Sequence, residues 1–157
     1  MQREILETVR TVEDKRFLTE EIEELAKCLY KKDQNAFNET LEIKVRARVA
    51  RQIEQTLQEF KGEKSALLEE ILQTLNSLRV LELTLAFEPT EVYLRNLSSW
   101  VREQVGEDVI LDLKYDRNIL GGAVVVFAGE YRDFSIRKKL ERLIEQEEEV
   151  VKLSEVS

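Results

Sequence analysis

A chain of 157 residues that is 43% hydrophobic and 36% charged, with one proline and five glycines, has enough apolar residue for one domain with a helical extension and favours long helices over disorder. Its formal net charge of −8 excludes nucleic acid as the main partner, because phosphate binding needs clustered cations. The absence of histidine and the single cysteine, Cys28, exclude an internal disulfide, a thiolate metal cage, the common zinc sites and Ser-His-Asp chemistry within the chain.

The opening "MQREILETVR" lacks an apolar signal core, and no stretch approaches the ~18 apolar residues needed to span a membrane; a soluble, cytosol-facing protein is expected. Ile5, Val9 and Val12 begin a weak amphipathic pattern. "LTEEIEELAKCLYKK" then carries an apolar stripe of Ile22, Leu25, Ala26 and Leu29 behind a Thr19 cap, with Cys28 as a core thiol. "KDQN" interrupts. From about Asn35 one longer helix is expected to reach about Phe60, with Phe37, Leu41, Val45, Val49, Ile53 and Leu57 each four residues apart. A helix advances about 400° in four residues, so this stripe winds by about 40° per step and suits successive neighbours rather than one straight partner. Lys44, Arg48 and Arg51 share a face of that helix, either meeting an acidic partner helix or lying solvated beside nearby glutamates.

"KGEK" (Lys61 to Lys64) is a helix–helix turn, after which Leu67, Leu68, Ile71, Leu72, Leu75 and Leu78 present a broad apolar face. At Arg79 the period changes to two: Leu81, Leu83, Leu85 and Phe87 alternate with Val80, Glu82, Thr84 and Ala86. Pro89-Thr90 opens a helix with Leu94, Leu97, Trp100, Val101 and Val105 inward, closed by Gly106. "DVILDLKYD" is a second strand and "GGAVVVF" a third. "AGEY" turns into a short fourth strand, with Gly129-Glu130 as a two-residue hairpin turn, and Ser135 caps a last helix carrying Ile136, Leu140, Leu143 and Ile144. "EQEEEV" (Glu145 to Val150) is a solvated tail, fraying after about Val151. The expected class is α+β: a helical bundle or hairpin over residues 1–78, then a small β-α-β-β-α domain over residues 79–153.

"NILGGAVVVFAGEYRDFSIRKKL" holds three of the five glycines and is the one place where ligand chemistry could sit. A phosphate loop needs its glycines between a strand and a helix, with Lys-Ser or Lys-Thr behind them. Here Gly121 and Gly122 precede a strand and Gly129 lies between two, so nucleotide binding is not expected, nor any cofactor or metal. Asp112, Asp116 and Asp133 are the candidate carboxylate set, and strand parity accounts for Asp112 and Asp116 as a polar face. Ser135 has no histidine to activate it and reads as an N-cap. Gly121 and Gly122 let the chain reverse between the second and third strands and let a helix pack closely.

"YDRNILGGAVVVFAGEYRDFSIRKKLERL" resembles the C-terminal signature of the delta subunit of F-type ATP synthases, the family of the mitochondrial oligomycin-sensitivity-conferring protein. The matching residues are Asp116, Ile119, Leu120, Gly121, Gly122, Asp133, Ser135, Arg137, Leu140 and Leu143. The resemblance covers about residues 79–145 and departs at Phe134, where the family has glycine, and in a helical region shorter than the family's six-helix domain. It implies a non-catalytic peripheral-stalk subunit that joins b-type stalk helices to the α subunits of the catalytic head. Such a subunit sits on the cytoplasmic face of the membrane through its complex, with no cofactor and no nucleic acid. The E-type stalk protein of vacuolar and archaeal-type ATPases has a related pattern, and a free-standing helical adaptor is the reading from another class.

Overall fold

The computed structural model describes residues 7–29 and 35–143. In chain order its elements are α1 (Val12–Leu29), α2 (Ala36–Lys44), α3 (Ala47–Glu59), α4 (Lys64–Ser77), β1 (Arg79–Leu85), α5 (Glu91–Gln104), β2 (Val109–Tyr115), a 3-10 turn (Arg117–Ile119), β3 (Ala123–Phe127) and β4 (Glu130–Asp133). A last helix, α6, is described over residues 136–143. The class is α+β. The chain divides into two compact units, one of residues 1–79 with 106–110, the other of residues 80–105 with 111–157.

The first unit buries Leu18, Ile22 and Leu25 of α1 with Phe37 and Leu41 of α2, Val49 and Ile53 of α3, and Leu67, Leu68, Ile71 and Leu75 of α4. Val9, Val45 and Ile110 complete this core. Each helix contributes one apolar face, as the periodicity requires. Cys28 is buried, its Sγ lying 3.1 Å from Thr40 Oγ1. Ile5, "KDQN" up to Gln34, and the chain from Ile144 onward, including the acidic tail and its fraying, lie outside the described residues.

Three expectations fail in this unit. Helix α1 begins at Val12 rather than behind Thr19. Its start is held by a reciprocal box in which Thr11 Oγ1 accepts from Asp14 N while Asp14 Oδ2 accepts from Thr11 N and Arg10 N, at 3.1 Å each. Thr19 sits mid-helix and its hydroxyl donates to Lys15 O at 2.8 Å. The expected single helix from Asn35 to Phe60 is broken, since Val45 and Arg46 are extended, with ψ of 136° and 132°. Without the break, the stripe from Phe37 to Leu57 would rotate by about 200° around its helix; with it, Val45, Val49 and Ile53 all stay buried.

The break also separates Lys44, which ends α2, from Arg48 and Arg51 on α3, so the three do not share one helical face. The acid that the basic segment meets is in the same chain. Lys44 Nζ pairs with Glu24 at 3.0 Å, and Arg46 forms a fork on Glu21, Nε to Oε1 at 2.8 Å and Nη2 to Oε2 at 3.0 Å.

The second unit is built on a four-stranded sheet of order β2-β1-β3-β4. Arg79 N–H donates to Asp108 O and Asp116 N–H to Leu85 O, so β1 and β2 advance together and are parallel. β3 runs antiparallel to β1, with Leu83 opposite Val125, and β4 antiparallel to β3, with Val126 opposite Tyr131. The second and third strands are therefore not neighbours. The chain leaves β2, crosses the end of β1 and returns beside it, so Gly121 and Gly122 serve that crossing and not a reversal between paired strands. The β3–β4 turn also shifts by one residue. Ala128 (φ 51°) and Gly129 (φ 82°) are its centre, a primed turn whose two positive φ angles match the strand twist.

Leu81, Leu83 and Leu85 are buried on one face, with Leu111 and Val101, as alternation requires, while Phe87 lies past the strand and is exposed. Helix α5 starts at Thr90, whose hydroxyl accepts from Tyr93 N at 3.3 Å. Trp100, expected inward, is 57% exposed, and Ser98 is buried with Val101. The rest of the expected stripe holds, with Val101 buried and Leu94, Leu97 and Val105 half-buried.

Candidate functional site

The residues singled out in sequence converge on one junction of the second unit, where the β2–β3 crossing meets the start of α6. Asp116 Oδ1 accepts from Asn118 N at 2.9 Å and caps the 3-10 turn; it lies past the end of β2, not on that strand's polar face. Ile119 of the turn is buried. Leu120 follows in the left-handed region (φ 60°), which sends its side chain outward, 63% exposed.

Gly122 has φ 76°, and a Cβ there would overlap the Phe134 carbonyl oxygen and press to 3.1 Å from Ser135 Cα. At Gly121 a Cβ would meet Ile136 Cδ1 at 2.7 Å. The glycine pair is the gap into which the first turn of α6 fits. Backbone bonds lock this contact: Phe134 N–H donates to Ala123 O at 2.8 Å and Ile136 N–H to Gly121 O at 3.0 Å.

From the other side, Asp133 Oδ1 accepts from Ser135 N at 2.8 Å, and Ser135 Oγ accepts from Lys138 N at 3.2 Å. Ser135 is fully buried and caps α6, as its place in the sequence implied. The Ser135 hydrogen bonds hold the Asp133 carboxyl below the ordinary aspartate range, with Lys138 and Arg137 adding a smaller pull. Phe134 stands in this turn without a positive φ angle and with its ring half exposed. A side chain is therefore accommodated where the family has glycine.

Beyond the junction, Ile136, Leu140 and Leu143 are 46%, 46% and 57% exposed on successive turns of α6. The spacing of four and three residues puts them on one stripe. Leu120 and Phe134, at the junction itself, are exposed as well. Arg137 pairs with Glu141 at 3.6 Å, and Lys139 and Arg142 are exposed on the same helix. Sequence periodicity finds the stripe but cannot tell that it faces out.

Asp112, Asp116 and Asp133 do not gather into a carboxylate site. Asp112 lies 3.9 Å from Lys114, whereas Asp116 and Asp133 each cap a turn. Among the described residues no group of three or more His, Cys, Asp or Glu side chains could hold a metal ion, and no helix is long and apolar enough to cross a membrane. What the junction can do chemically is hold two backbone segments rigidly together and offer an apolar surface beside them.

The sequence profile of the ATP synthase delta (OSCP) subunit family matches residues 8–146. This match reaches well into the helical region, beyond the residues 79–145 that carry the visible signature. No curated protein matches the chain in sequence at a significant level. Among solved structures, the chain is similar to one in the cryo-EM structure of the Toxoplasma gondii mitochondrial ATP synthase hexamer (composite model), with 15% identity, 83% of this chain and 86% of that chain covered, and a TM-score of 0.36. On the extent of the family match, the chain belongs to the ATP synthase delta (OSCP) subunit family and is a non-catalytic peripheral-stalk subunit of F-type ATP synthase, a membrane-associated complex.

Proposed function

We propose that residues 79–153 receive the end of the b-type stalk helices and that residues 1–78 contact the α subunits of the catalytic head, on the cytoplasmic face of the membrane. The observation that carries this reading is the exposed apolar stripe of Ile136, Leu140 and Leu143 on α6, with Leu120 and Phe134 also exposed, beside a junction whose backbone is fixed by glycine packing and capping. A stator bracket must transmit torque without yielding, and a helix seated on a rigid apolar surface does so by buried area. Asp116, Ile119, Leu120, Gly121, Gly122, Asp133, Ser135, Arg137, Leu140 and Leu143 then have one of two duties: to build the junction or to form the surface.

Among the described residues of the helical region, the outward apolar groups are chiefly Ile43 and Phe17. The Phe17 ring lies under Arg16 at 5.0 Å and Arg46 at 5.8 Å. These are the candidates for the head contact. The test is affinity capture of the full chain with the soluble part of the b subunit and, separately, with the N-terminal segment of α. L140D/L143D is expected to lose b and keep α, and I43D to do the reverse. Capture of both partners by both variants would refute the assignment.

A further inference from the structure

An apolar stripe turned outward on a helix is not by itself informative about what covers it; its charged rim is. On α6 the stripe of Ile136, Leu140 and Leu143 is bordered by Lys139 and Arg142 on one side and by Arg137 on the other. The described turns of this helix hold four cations and one anion, Glu141, in a chain whose net charge is −8. Glu141 faces Arg137, so the positive charge at the Lys139–Arg142 edge is not offset within the described helix. This is a local reversal of sign placed beside the exposed leucines.

Resting on the reading that this patch seats a stalk helix, we propose that the seated helix carries carboxylates along one flank of its apolar stripe, and that Lys139 and Arg142 select it by charge. A second copy of this chain is disfavoured as the occupant, because a two-fold contact would set Lys139 and Arg142 against their own copies. An anionic membrane is disfavoured as well. The stripe offers three apolar residues on a helix whose first turn is tied to Gly121 and capped by Ser135, too little area for interfacial binding, and the net charge opposes approach.

The probes are two designed helical peptides with the same leucine stripe, one flanked by glutamate and the other by lysine. Binding of each to the full chain is followed by fluorescence anisotropy across a salt series. The glutamate peptide is expected to bind roughly tenfold more tightly at low salt, the scale that two rim ion pairs supply, with the preference fading as salt screens it. K139E/R142E should invert the preference, and K139Q/R142Q should abolish it. Both positions are exposed, so far-UV circular dichroism should be unchanged. Equal affinities that L140D/L143D abolishes would overturn the charge selection and leave the stalk-helix reading standing. Failure of both peptides to bind, or binding that L140D/L143D does not affect, would overturn both. Preferential binding of phosphatidylglycerol vesicles would overturn both in favour of a lipid surface.

Discussion

Replacing Gly122 with alanine tests the junction at its tightest point. Two costs are separable. The first is conformational: with φ at 76°, an L-residue at this position costs about 1–2 kcal/mol. The second is steric. The added methyl overlaps the Phe134 carbonyl, and Phe134 cannot withdraw without straining its bond to Ala123 O, the Ile136 bond to Gly121 O and the Ser135 cap. Two hydrogen bonds at about 1 kcal/mol each and a weakened cap at ~1 kcal/mol bring the expected loss to about 4–5 kcal/mol. Gly129→Ala is the internal control, because Gly129 also has a positive φ (82°) but a Cβ there meets nothing within 4 Å. It carries the conformational cost alone, about 1–2 kcal/mol.

The assay is urea unfolding followed by the fluorescence of Trp100, the single tryptophan, which lies in the same unit as the junction. A urea slope of about 1–1.5 kcal/mol per molar for a unit of this size puts the midpoint about 3–5 M lower for G122A and about 1–2 M lower for G129A. Equal shifts for the two variants would refute the claim that the gap between Gly122 and Phe134 holds the junction.

Further outcomes follow from other contacts. Thr11→Ala should lower stability by ~1 kcal/mol through loss of the α1 box, while Thr19→Ala, which removes only a bond back to Lys15 O, should change it by less than about 0.5 kcal/mol in thermal unfolding. Glu21→Ala should cost about 1–3 kcal/mol, since the Glu21 side chain is 10% exposed and takes both the guanidinium and the backbone N–H of Arg46; a neutral result would remove Glu21 as the cause of the α2–α3 break. Acid should destabilise the fold from below about pH 4.5 downward. Glu24 is drawn from 4.5 to about 2 by hydrogen bonds from Lys27 and Lys44. Asp108 is lowered by Arg79 and Asp133 by Ser135. Carboxyls whose folded values are depressed contribute stability above their unfolded pKa and lose it as pH falls through the folded one. Midpoints measured by circular dichroism should therefore hold level near neutrality and drop toward pH 2; a drop beginning at pH 6 would contradict this.

Much of the fold was legible because its signals are local. The change to period two at Arg79, the helix start at Pro89-Thr90, the Ser135 cap and the apolar face of α4 each depend on residues within one or two turns of each other. What was missed depends on distance. The break at Val45–Arg46 contains no glycine or proline, and its bonded partner Glu21 lies 25 residues away. Trp100 lies at the edge of the α5 stripe and is exposed while the polar Ser98 is buried, an exchange that hydropathy does not report. Thr11-Val12-Glu13-Asp14 was available as a capping box, but the stronger apolar pattern after Thr19 masked it. At the junction, the glycine pair marked a close approach, but the approaching group, the Phe134 carbonyl, is a backbone atom that no side-chain pattern encodes.

The stator role is tested most directly by reconstituting F-type ATP synthase that lacks this subunit. The wild-type chain is expected to restore proton-driven ATP synthesis while turning over no nucleotide by itself, and L140D/L143D to leave ATP hydrolysis by the head intact but uncoupled. Coupled synthesis without the chain, or nucleotide turnover by the isolated chain, would contradict the account.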